Sequence, residues 1–384
     1  MSFENFYNTV MTSELGVLMR AIKEDSAWHR EKNVAEHTRM TIRWYEDNLE
    51  NSRTPNERII TKIALLFHDT GKPMARTEKF SEARGTYYSY PGHELMSARV
   101  FENYALSNLQ DINKEFIFEW SQIEQIKCLI EHHLPYEKTG KDKLIALKTH
   151  IHCLGGPKLE RMYFDVLRSD AHGRISDDPD GTYARVEDWI AKFQAIEPKE
   201  FKVNYEAPYI ILAIGASGSG KTSYFQKQFA YDDADGPNQY WFSLDNLRMM
   251  FYSMKTEQQP VYDVAWNYIH RNEDKEVEKA FDAFCLKAFT VHVKNKHNVY
   301  IDISNVSAKA RRKWITLARQ HDYAVHAVHF AIPYQLCLNR QKTRDDKEIP
   351  ERSVREQYFR ISTPLIGTEV DTLTTTFPYD FPEL

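Results

Sequence analysis

The stretch that most constrains the fold of this chain is residues 215–222, with the sequence Gly-Ala-Ser-Gly-Ser-Gly-Lys-Thr. It matches the pattern G-x-x-x-x-G-K-[ST] of the phosphate-binding loop. The apolar run at 209–214 is typical of a buried parallel strand, and the residues after the loop favour a helix. In that setting, glycines let backbone N–H groups face an anion, and the helix N-terminus adds partial positive charge. The sequence therefore predicts an α/β nucleotide-binding domain.

The positions of this loop have expected parts in binding ATP and Mg²⁺. We expect Lys221 to reach the β- and γ-phosphates and to act in catalysis, and the Thr222 hydroxyl to hold Mg²⁺. A glycine-rich turn that binds nothing is the alternative, but loop, lysine, hydroxyl and strand context all favour binding. The residues predicted to hold the cofactor are Gly215, Ser217, Gly218, Ser219, Gly220, Lys221 and Thr222.

The length of 384 residues suggests two domains. From about residue 8 to 180, apolar positions recur at helical spacing, with a loop or short extended piece at 84–90. Beyond about 200, strands alternate with helices, which implies a parallel sheet covered on both faces. The candidate strands are 209–214, 239–243, 298–302 and 324–330, with a long helical stretch at 261–294. We predict an all-α N-terminal domain at 1–197 and an α/β domain with a parallel sheet at 200–384.

The amino-acid composition limits which partners the protein is expected to bind and where in the cell it is expected to be. A net charge of −5 argues against a generally basic nucleic-acid-binding surface, although a local basic groove remains compatible with it. The four cysteines form no C-x-x-C pair and are typical of reduced thiols. The N-terminal residues lack the pattern of a signal peptide, and no apolar run approaches the roughly 18 residues of a membrane span. We expect a cytoplasmic protein without a membrane partner.

Polar residues in the otherwise apolar helices of the N-terminal half indicate a metal site. Imidazole and carboxylate ligands suit a transition metal such as Mn²⁺, Fe²⁺, Co²⁺, Ni²⁺ or Zn²⁺. Since His68 and Asp69 are adjacent, they cannot share a helix face, so Asp69 could bridge ions while His68 approaches sideways. The alternative for each histidine is that it is a hydrogen-bonded residue of the hydrophobic core and binds no metal. The candidate residues are His37, His68, Asp69, His93, His132, His133 and Asp170.

The order of His37, His68-Asp69 and Asp170 resembles the H…HD…D pattern of the HD phosphohydrolase superfamily, an all-helical metal-dependent fold. The resemblance implies one or two ions, with His93 and one of His132 and His133 as further ligands. The I-x-x-H spacing favours His133. It also implies that Lys72, in the stretch His-Asp-Thr-Gly-Lys, binds phosphate or donates a proton. The metal would make hydroxide from water and clamp a phosphate oxygen.

Asp245 and Arg248 follow the predicted strand at 239–243. Ligands bind at the carboxyl ends of strands in an open parallel sheet, so we expect Asp245 beside the γ-phosphate. There it could accept a proton from an attacking hydroxyl, while Arg248 holds a substrate phosphate. The alternative is that Asp245 is a helix N-cap, and the two roles can coexist. Asp302, which ends the strand at 298–302, could touch the metal hydration shell or Lys221.

Two arginines further along the chain predict a lid. Arg340 and Arg344 lie four residues apart, so one helix face presents both guanidinium groups. A mobile lid would close over ATP with these arginines and stabilise charge on the transferring phosphoryl group, with Arg344 acting in catalysis. A charged surface helix is the alternative. The basic cluster at 311–313 is expected to be solvated.

In this order, the phosphate loop, Asp245 with Arg248, Asp302 and the arginine lid resemble the polynucleotide 5′-kinases over about 208–362. Together the halves resemble bifunctional RNA end-healing enzymes. The resemblance implies ATP-dependent phosphorylation of 5′-OH RNA or DNA ends and metal-dependent removal of 2′,3′-cyclic, 2′- or 3′-phosphate. A separate nucleic-acid ligase is the implied partner. Two alternatives stay open: an HD nucleotidase fused to a nucleoside or small-molecule kinase, and an ATP-gated phosphodiesterase switch.

Overall fold

The computed structural model describes residues 3–23, 29–82, 85–109, 118–135, 140–229, 239–271, 275–344, 347 and 349–376. The chain divides into two compact units, Met1–Glu200 and Phe201–Leu384. The division falls close to the boundary predicted at 197–200. Residues 377–384, at the end of the tail, lie outside the described residues.

The N-terminal unit is helical, as predicted. Its elements are α1 (Phe3–Thr12), α2 (Glu14–Ala21), α3 (Val34–Asn48), α4 (Pro55–Phe67), α5 (Lys72–Ala75), β1 (Thr77–Ser81), β2 (Gly85–Ser89), α6 (His93–Leu109), α7 (Trp120–Glu131), α8 (Lys141–His172) and α9 (Pro179–Gln194). The all-α expectation is incomplete, because β1 and β2 pair as an antiparallel hairpin. Strand β2 falls within residues 84–90, where the sequence predicts either a loop or a short extended segment.

Helix α4 illustrates why the helices of this unit form where they do. Thr54 and Glu57 make a capping box at its start, and Pro55 occupies the first turn, where no intrahelical donor is needed. One face of α4 then buries Ile60, Ile63 and other apolar side chains in the core of the unit. The helix ends at Phe67, immediately before the predicted His-Asp pair, and so carries that pair into the interior.

Helix α8 is interrupted at Gly156. Gly156 has φ +61° and ψ −152°, a conformation that glycine adopts readily and other residues avoid, and Pro157 follows it. The two parts of α8 lie on either side of this break. The second part buries Leu159, Met162 and Val166 and ends close to Asp170.

The C-terminal unit is an α/β domain. Its elements are β3 (Tyr209–Ile214), α10 (Lys221–Phe229), β4 (Tyr240–Ser243), α11 (Leu244–Thr256), α12 (Tyr262–His270), α13 (Lys275–Lys294), β5 (Val299–Asp302), α14 (Ala308–Arg319), β6 (Ala324–Phe330), α15 (Tyr334–Lys342), α16 (Glu351–Phe359) and β7 (Thr372–Thr376). In the part of the chain that the structure describes, five strands form a parallel sheet in the order β4-β5-β3-β6-β7.

The sheet order determines where ligands can bind. Strand β3 is central, with β5 on one side and β6 on the other. The chain leaves β3 toward β4 and β5 and later crosses to β6, so the strand order reverses around β3. In open α/β sheets, ligands bind beyond the carboxyl ends of strands at this kind of reversal. The loop at 215–222 lies directly there.

The expectation for the basic cluster at 311–313 is wrong for its first member. Arg311 is fully buried, and its Nε donates a 2.6 Å hydrogen bond to Glu369. Its Nη1 donates to the backbone oxygens of Asn305 and Ser362, at 2.9 and 3.0 Å. The guanidinium therefore joins the loop between β5 and α14 to the segment between α16 and β7. Arg312 is exposed, as expected.

Among the described residues, none of the helices is both long and apolar enough to pass through a membrane.

Candidate functional site

In the helical unit, polar side chains from five helices or their ends converge in the interior. Two groups of ligand atoms, each within 4.8 Å of one another, make up this cluster. The first group is His37, His68 and Asp170, and the second is Asp69, His93 and His133. All six residues are buried. They are the residues whose order in the sequence predicts a metal site, and we call them the His/Asp cluster.

Three of these histidines are held in one orientation by the backbone. In each, Nδ1 lies 2.7 or 2.8 Å from the carbonyl oxygen three residues earlier, as seen for His68 with Leu65, His93 with Tyr90 and His133 with Ile130. An Nδ1–H that donates to this oxygen leaves Nε2 with a free electron pair. Nε2 of His93 lies 3.1 Å from one carboxylate oxygen of Asp69, and Nε2 of His68 lies 3.3 Å from the other. Backbone carbonyls orient metal-binding histidines in this way.

The fourth histidine, His37, is oriented by a carboxylate that the sequence did not single out. Its Nδ1 lies 3.4 Å from Glu31, and its Nε2 lies 3.0 Å from Asp170. The Glu31 carboxylate is buried, accepts a 2.7 Å hydrogen bond from the backbone N–H of Ile175 and lies 3.3 Å from His29. Glu31 precedes α3 without any motif around it, so only its tertiary contacts identify it.

The charges in the cluster suit metal binding. Burial would raise the pKa of Asp69, but Lys72 and His68 beside it hold that pKa well below its usual range. The pKa of Asp170 is likewise well below its usual range, because Arg174 and His37 outweigh the effect of burial. Both carboxyls are therefore ionised at neutral pH. Transition metals prefer carboxylates combined with imidazoles in this way.

Two histidines of the cluster, His133 and His37, have pKa values shifted in opposite directions. Burial and the neighbouring His68 and His93 lower the pKa of His133 to about 3, which makes this imidazole neutral and able to coordinate a cation. Burial would also lower the pKa of His37, but its contacts with Asp170 and Glu31 raise it to about 9. Since a metal ligand has to be deprotonated, a cation that binds at His37 has to release a proton. The donor set as a whole fits one or two transition-metal ions.

Of the two adjacent histidines at the end of α7, the structure brings only His133 to the cluster. His132 is the residue that ends the helix, and its ring lies 6.4 Å from the ring of His150. The interpretation of His132 as the ligand is therefore not supported by the geometry, and the I-x-x-H preference for His133 agrees with it. Lys72 is buried at the cluster, with Nζ 2.8 Å from Asp69 and 5.8 Å from the centre of the Tyr90 ring.

In the C-terminal unit, the loop at 215–222 has the backbone that its glycines predict. Gly218 and Gly220 have φ values of +84° and +91°, which favour glycine. A Cβ on Gly218 would also lie only 2.4 Å from the backbone oxygen of Cys337. Nζ of Lys221 donates to the backbone oxygens of Gly215 and Ala216, at 2.9 and 2.8 Å, and burial lowers its pKa to about 8. The lysine is thus held against the loop that it is predicted to serve.

Thr222 and Asp302 form the candidate Mg²⁺ site. The Thr222 hydroxyl donates a 2.7 Å hydrogen bond to Oδ2 of Asp302, and the indole N–H of Trp241 donates to the same oxygen at 3.0 Å. Asp302 ends β5, the neighbour of β3, so the sheet brings the carboxylate to the first turn of α10. A hydroxyl beside a carboxylate suits Mg²⁺, which prefers oxygen ligands. The sequence left two roles for Asp302, contact with the hydration shell of the metal or with Lys221. The hydrogen bond to Thr222 favours the role at the metal.

Asp245 faces the same cleft, and it does not cap its helix. The N-cap of α11 is Ser243, whose hydroxyl accepts a hydrogen bond from the backbone N–H of Asn246. The alternative of Asp245 as the N-cap is therefore wrong. Instead, its Oδ1 accepts a 2.7 Å hydrogen bond from Arg248, and its Oδ2 is paired with Lys347. Lys347, whose Nζ lies 4.9 Å from the centre of the Tyr262 ring, was not predicted.

The predicted lid residues lie against the phosphate loop. Arg340, near the end of α15, donates a 3.1 Å hydrogen bond to the backbone oxygen of Gly218, and Arg344 lines the cleft. Gln357 of α16 adds a contact that the sequence did not predict. Its side-chain oxygen accepts from the backbone N–H and the hydroxyl of Ser217, at 2.8 and 2.9 Å. These contacts favour a role at the nucleotide site over a solvated surface helix.

These side chains surround one cleft of about 1490 Å³. The phosphate loop and Asp302 form one wall, the lid forms another, and Asp245 and Arg248 lie between them. The remaining wall is α12 with the residues at its two ends, which contribute Val261, Tyr262, Trp266, Asn267 and Arg271.

The central β3, its loop, the Thr222–Asp302 pair and the arginines over the loop define the C-terminal unit as a P-loop kinase-like domain. Such a domain suggests phosphotransferase activity and implies ATP and Mg²⁺ as cofactors. Residues 210–364 match the family model described as an AAA domain, which confirms the P-loop kinase-like part of the prediction. A search of curated proteins finds no match to the chain. The HD assignment of the helical unit stays a prediction.

Proposed function

We propose that the protein is a bifunctional enzyme that heals the ends of nucleic acids, with RNA as its main substrate. The C-terminal unit transfers the γ-phosphoryl group of ATP to a 5′-hydroxyl end. The N-terminal unit is an HD phosphohydrolase that removes a 2′,3′-cyclic, 2′- or 3′-phosphate. Together the two reactions leave a 5′-phosphate and free hydroxyls at the other end, which are the ends that a separate ligase joins.

The observation that carries the proposal is the arrangement of the cleft around Asp245. A carboxylate and Arg248 face the phosphate loop across a space of about 1490 Å³. This exceeds the roughly 300–1,000 Å³ of ordinary small-molecule pockets, so an acceptor fits beside ATP. The wall at α12 presents the half-buried Trp266 and the exposed Arg271. An aromatic ring and a guanidinium suit the bases and phosphates of a strand better than a free nucleoside.

For the kinase, the residues have complementary roles. The loop N–H groups and Lys221 hold the phosphates of ATP, and Arg340 and Arg344 stabilise negative charge on the transferring group. Asp245 accepts the proton of the 5′-hydroxyl as its oxygen bonds to the γ-phosphorus and the bond to the bridging oxygen breaks, leaving ADP. Lys347 is paired with the same carboxylate, so we expect it to shift when the hydroxyl arrives. Thr222 and Asp302 would hold Mg²⁺, which neutralises charge on the phosphates when bound.

For the hydrolase, the His/Asp cluster would hold one or two transition-metal ions. When bound, such ions lower the pKa of a coordinated water and so supply hydroxide. The carboxylate of Asp69 lies in contact with both histidine groups of the cluster and with Lys72. The ammonium of Lys72 is then placed to bind a phosphate oxygen or to protonate the leaving sugar oxygen. Glu31 and the backbone carbonyls keep the imidazoles in their orientation.

The test offers the purified protein γ-labelled ATP with 5′-OH RNA, 5′-OH DNA and nucleosides in parallel. We expect label on the oligonucleotides, and the comparison of RNA with DNA measures which of the two strands the kinase prefers. Label on nucleosides alone would instead identify a small-molecule kinase, and ATP binding without any transfer would identify an ATP-gated switch. A second assay offers oligoribonucleotides ending in a 2′,3′-cyclic, a 2′- or a 3′-phosphate with added Mn²⁺, Co²⁺, Ni²⁺ or Zn²⁺. Release of phosphate or opening of the cyclic ester is expected with at least one of them.

A further inference from the structure

The hairpin of β1 and β2 exposes aromatic side chains that the fold of the helical unit does not use. In its register, Phe80 pairs with Thr86 and Glu78 pairs with Tyr88, so Phe80 and Tyr88 share one face. The relative exposure is 74% for Phe80 and 43% for Tyr88. We call this face, with Arg76 at its edge, the hairpin face. Exposed aromatic rings grouped in this way indicate an interaction surface.

The hairpin lies within the chain segment that builds the His/Asp cluster. Lys72, which contacts Asp69, precedes it through α5, and His93, a member of the cluster, follows it. Between the hairpin and His93, the backbone oxygen of Tyr90 lies 2.8 Å from Nδ1 of that histidine, and the Tyr90 ring lies 5.8 Å from Nζ of Lys72. Both ends of the hairpin are therefore anchored at the cluster.

The chemistry of the hairpin face favours the bases of a nucleic-acid strand. The guanidinium of Arg76 lies 3.7 Å from the centre of the Tyr88 ring, so a planar cation and an aromatic ring are already stacked. Bases stack on aromatic rings and guanidinium planes whatever their sequence. Glu78 lies on the same face and accepts a 3.4 Å hydrogen bond from the Tyr88 hydroxyl. Its negative charge disfavours a phosphate at that point, so the aromatic rings are better suited to contact bases.

We propose that the hairpin face stacks the last bases of a single-stranded RNA end and thereby presents its terminal 2′,3′-cyclic, 2′- or 3′-phosphate to the His/Asp cluster. The inference rests on the proposed function, and it names the part of the chain that distinguishes a strand end from a mononucleotide. On this proposal, a strand gains affinity from both Phe80 and Tyr88, whereas binding of a mononucleotide does not depend on either ring.

The test compares the hydrolysis of two substrates by variants of the full-length protein loaded with the metal that supports activity best. One substrate is a short oligoribonucleotide with a terminal 2′,3′-cyclic phosphate, and the other is a 2′,3′-cyclic mononucleotide. Phe80→Ala should lower kcat/KM for the oligonucleotide about tenfold, mostly through KM, because a stacked base contributes roughly 5- to 150-fold. The mononucleotide rate and the metal content should stay unchanged. Tyr88→Ala should behave similarly.

Two further substitutions separate stacking from simple apolar contact. Phe80→Trp should restore activity on the oligonucleotide, because the larger ring stacks at least as well, whereas Phe80→Leu should not. Tyr205→Ala, which removes a ring that is 77% exposed in the other unit, is the matched control and should leave both substrates unaffected. Fluorescence anisotropy of a labelled, 3′-phosphorylated oligoribonucleotide provides an independent measure of binding by the same variants.

The outcomes distinguish this inference from the proposed function. If the protein acts on the oligonucleotide but Phe80→Ala leaves the ratio of the two rates unchanged, the hairpin inference is overturned and the end-healing proposal stands. Equal activity of Phe80→Leu and the parent also overturns stacking. If the parent hydrolyses the mononucleotide and neither binds nor hydrolyses the oligonucleotide, both proposals are overturned. If the hairpin face binds a protein instead of RNA, Phe80→Ala leaves the ratio of the two rates unchanged, which is the first of these results.

Discussion

The hydroxyl of Thr222 and the carboxylate of Asp302 are joined by a 2.7 Å hydrogen bond, although 80 positions separate them in the sequence. The hydroxyl belongs to the first turn of α10, and the carboxylate ends the strand next to β3. The parallel pairing of β3 with β5 is what brings the two together, since it aligns their carboxyl ends. The proposed Mg²⁺ site is therefore a direct product of the strand order.

The first prediction concerns this pair. Asp302→Asn keeps the size of the side chain and removes its charge, so Mg²⁺ should bind less tightly and the kinase rate at limiting Mg²⁺ should fall by about 10- to 100-fold. Excess Mg²⁺ should restore part of the loss in a titration of rate against Mg²⁺. Trp241→Phe removes only the indole donor to the same carboxylate and serves as the control. An unchanged Mg²⁺ dependence in Asp302→Asn would argue against the site.

The second prediction concerns Asp245. Both Asp245→Ala and Asp245→Asn should slow phosphorylation of a 5′-OH end by roughly 10²–10⁴-fold, because neither side chain can accept the proton. ATP affinity should change little, since the loop and Lys221 hold the nucleotide. Ser243→Ala is the matched control, because it removes the actual cap of α11 and should cost about 1 kcal/mol of stability while activity is kept. If Asp245→Asn phosphorylated the 5′-OH end as fast as the parent, Asp245 would not be the general base.

The third prediction concerns metal binding by the helical unit. Asp69→Ala removes a carboxylate that contacts both histidine groups, so metal content and phosphohydrolysis should fall together, by about tenfold or more. Kinase activity should remain near normal. Elemental analysis of the purified variant and a hydrolysis assay with EDTA test this. Full metal content in the variant, or hydrolysis that survives EDTA, would remove the HD interpretation.

The fourth prediction is that the two activities separate with the two units. Each unit has its own core and its own site, so a fragment of residues 1–200 should retain metal-dependent hydrolysis without ATP. A fragment beginning at residue 201 should retain the kinase. Circular dichroism establishes that each fragment is folded before the assays. Two folded but inactive fragments would contradict the assignment of one complete site to each unit.

The fifth prediction is a pH dependence of stability at the start of α4. Burial would raise the pKa of Glu57, but the Thr54 backbone N–H and Arg161 together lower it from 4.5 to about 2. A lowered pKa in the folded state means that the ionised carboxylate stabilises the fold above pH 4.5 and loses this effect as the pH falls through about 2. Glu57→Gln should thus cost about 1–2 kcal/mol at pH 7 and almost nothing near pH 2.

Denaturant unfolding of the parent and of Glu57→Gln at several pH values, with EDTA present, measures this difference. The control is Glu4→Gln, which changes an exposed carboxylate of α1 in the same unit. A gap between parent and variant that stays constant down to pH 2 would show that the charge of Glu57 is not what stabilises the helix start.

The centre of the α/β unit could be predicted because buried parallel strands form continuous apolar runs. The strand expected at 324–330 coincides with β6, and β3, β4 and β5 lie within one residue of their expected bounds. Strand β7 was missed, because it is a partly exposed edge strand rich in threonine and gives no such run. The hairpin of β1 and β2 was only partly expected for the same reason, since its outer face is exposed.

The candidate sites were predictable where neighbouring residues form a motif, as at 215–222 and at His68-Asp69. Residues that act through distant partners carried no such signal. Gln357 contacts Ser217 across 140 positions, and Lys347 contacts Asp245 across 102. Glu31 meets His37 only because the segment before α3 folds back onto it. Such pairs depend on the tertiary fold, so a single sequence does not reveal them.

The break at Gly156 sets how much change the helix α8 can tolerate. In an uninterrupted helix, each inserted or deleted residue turns every later side chain by about 100° around the axis. Such a change in the first part of α8 would then swing Asp170 away from His37. Because the helix is interrupted at Gly156, the second part keeps its own rotational setting, fixed by the burial of Leu159, Met162 and Val166. The length of the first part can therefore vary while the carboxylate keeps its place.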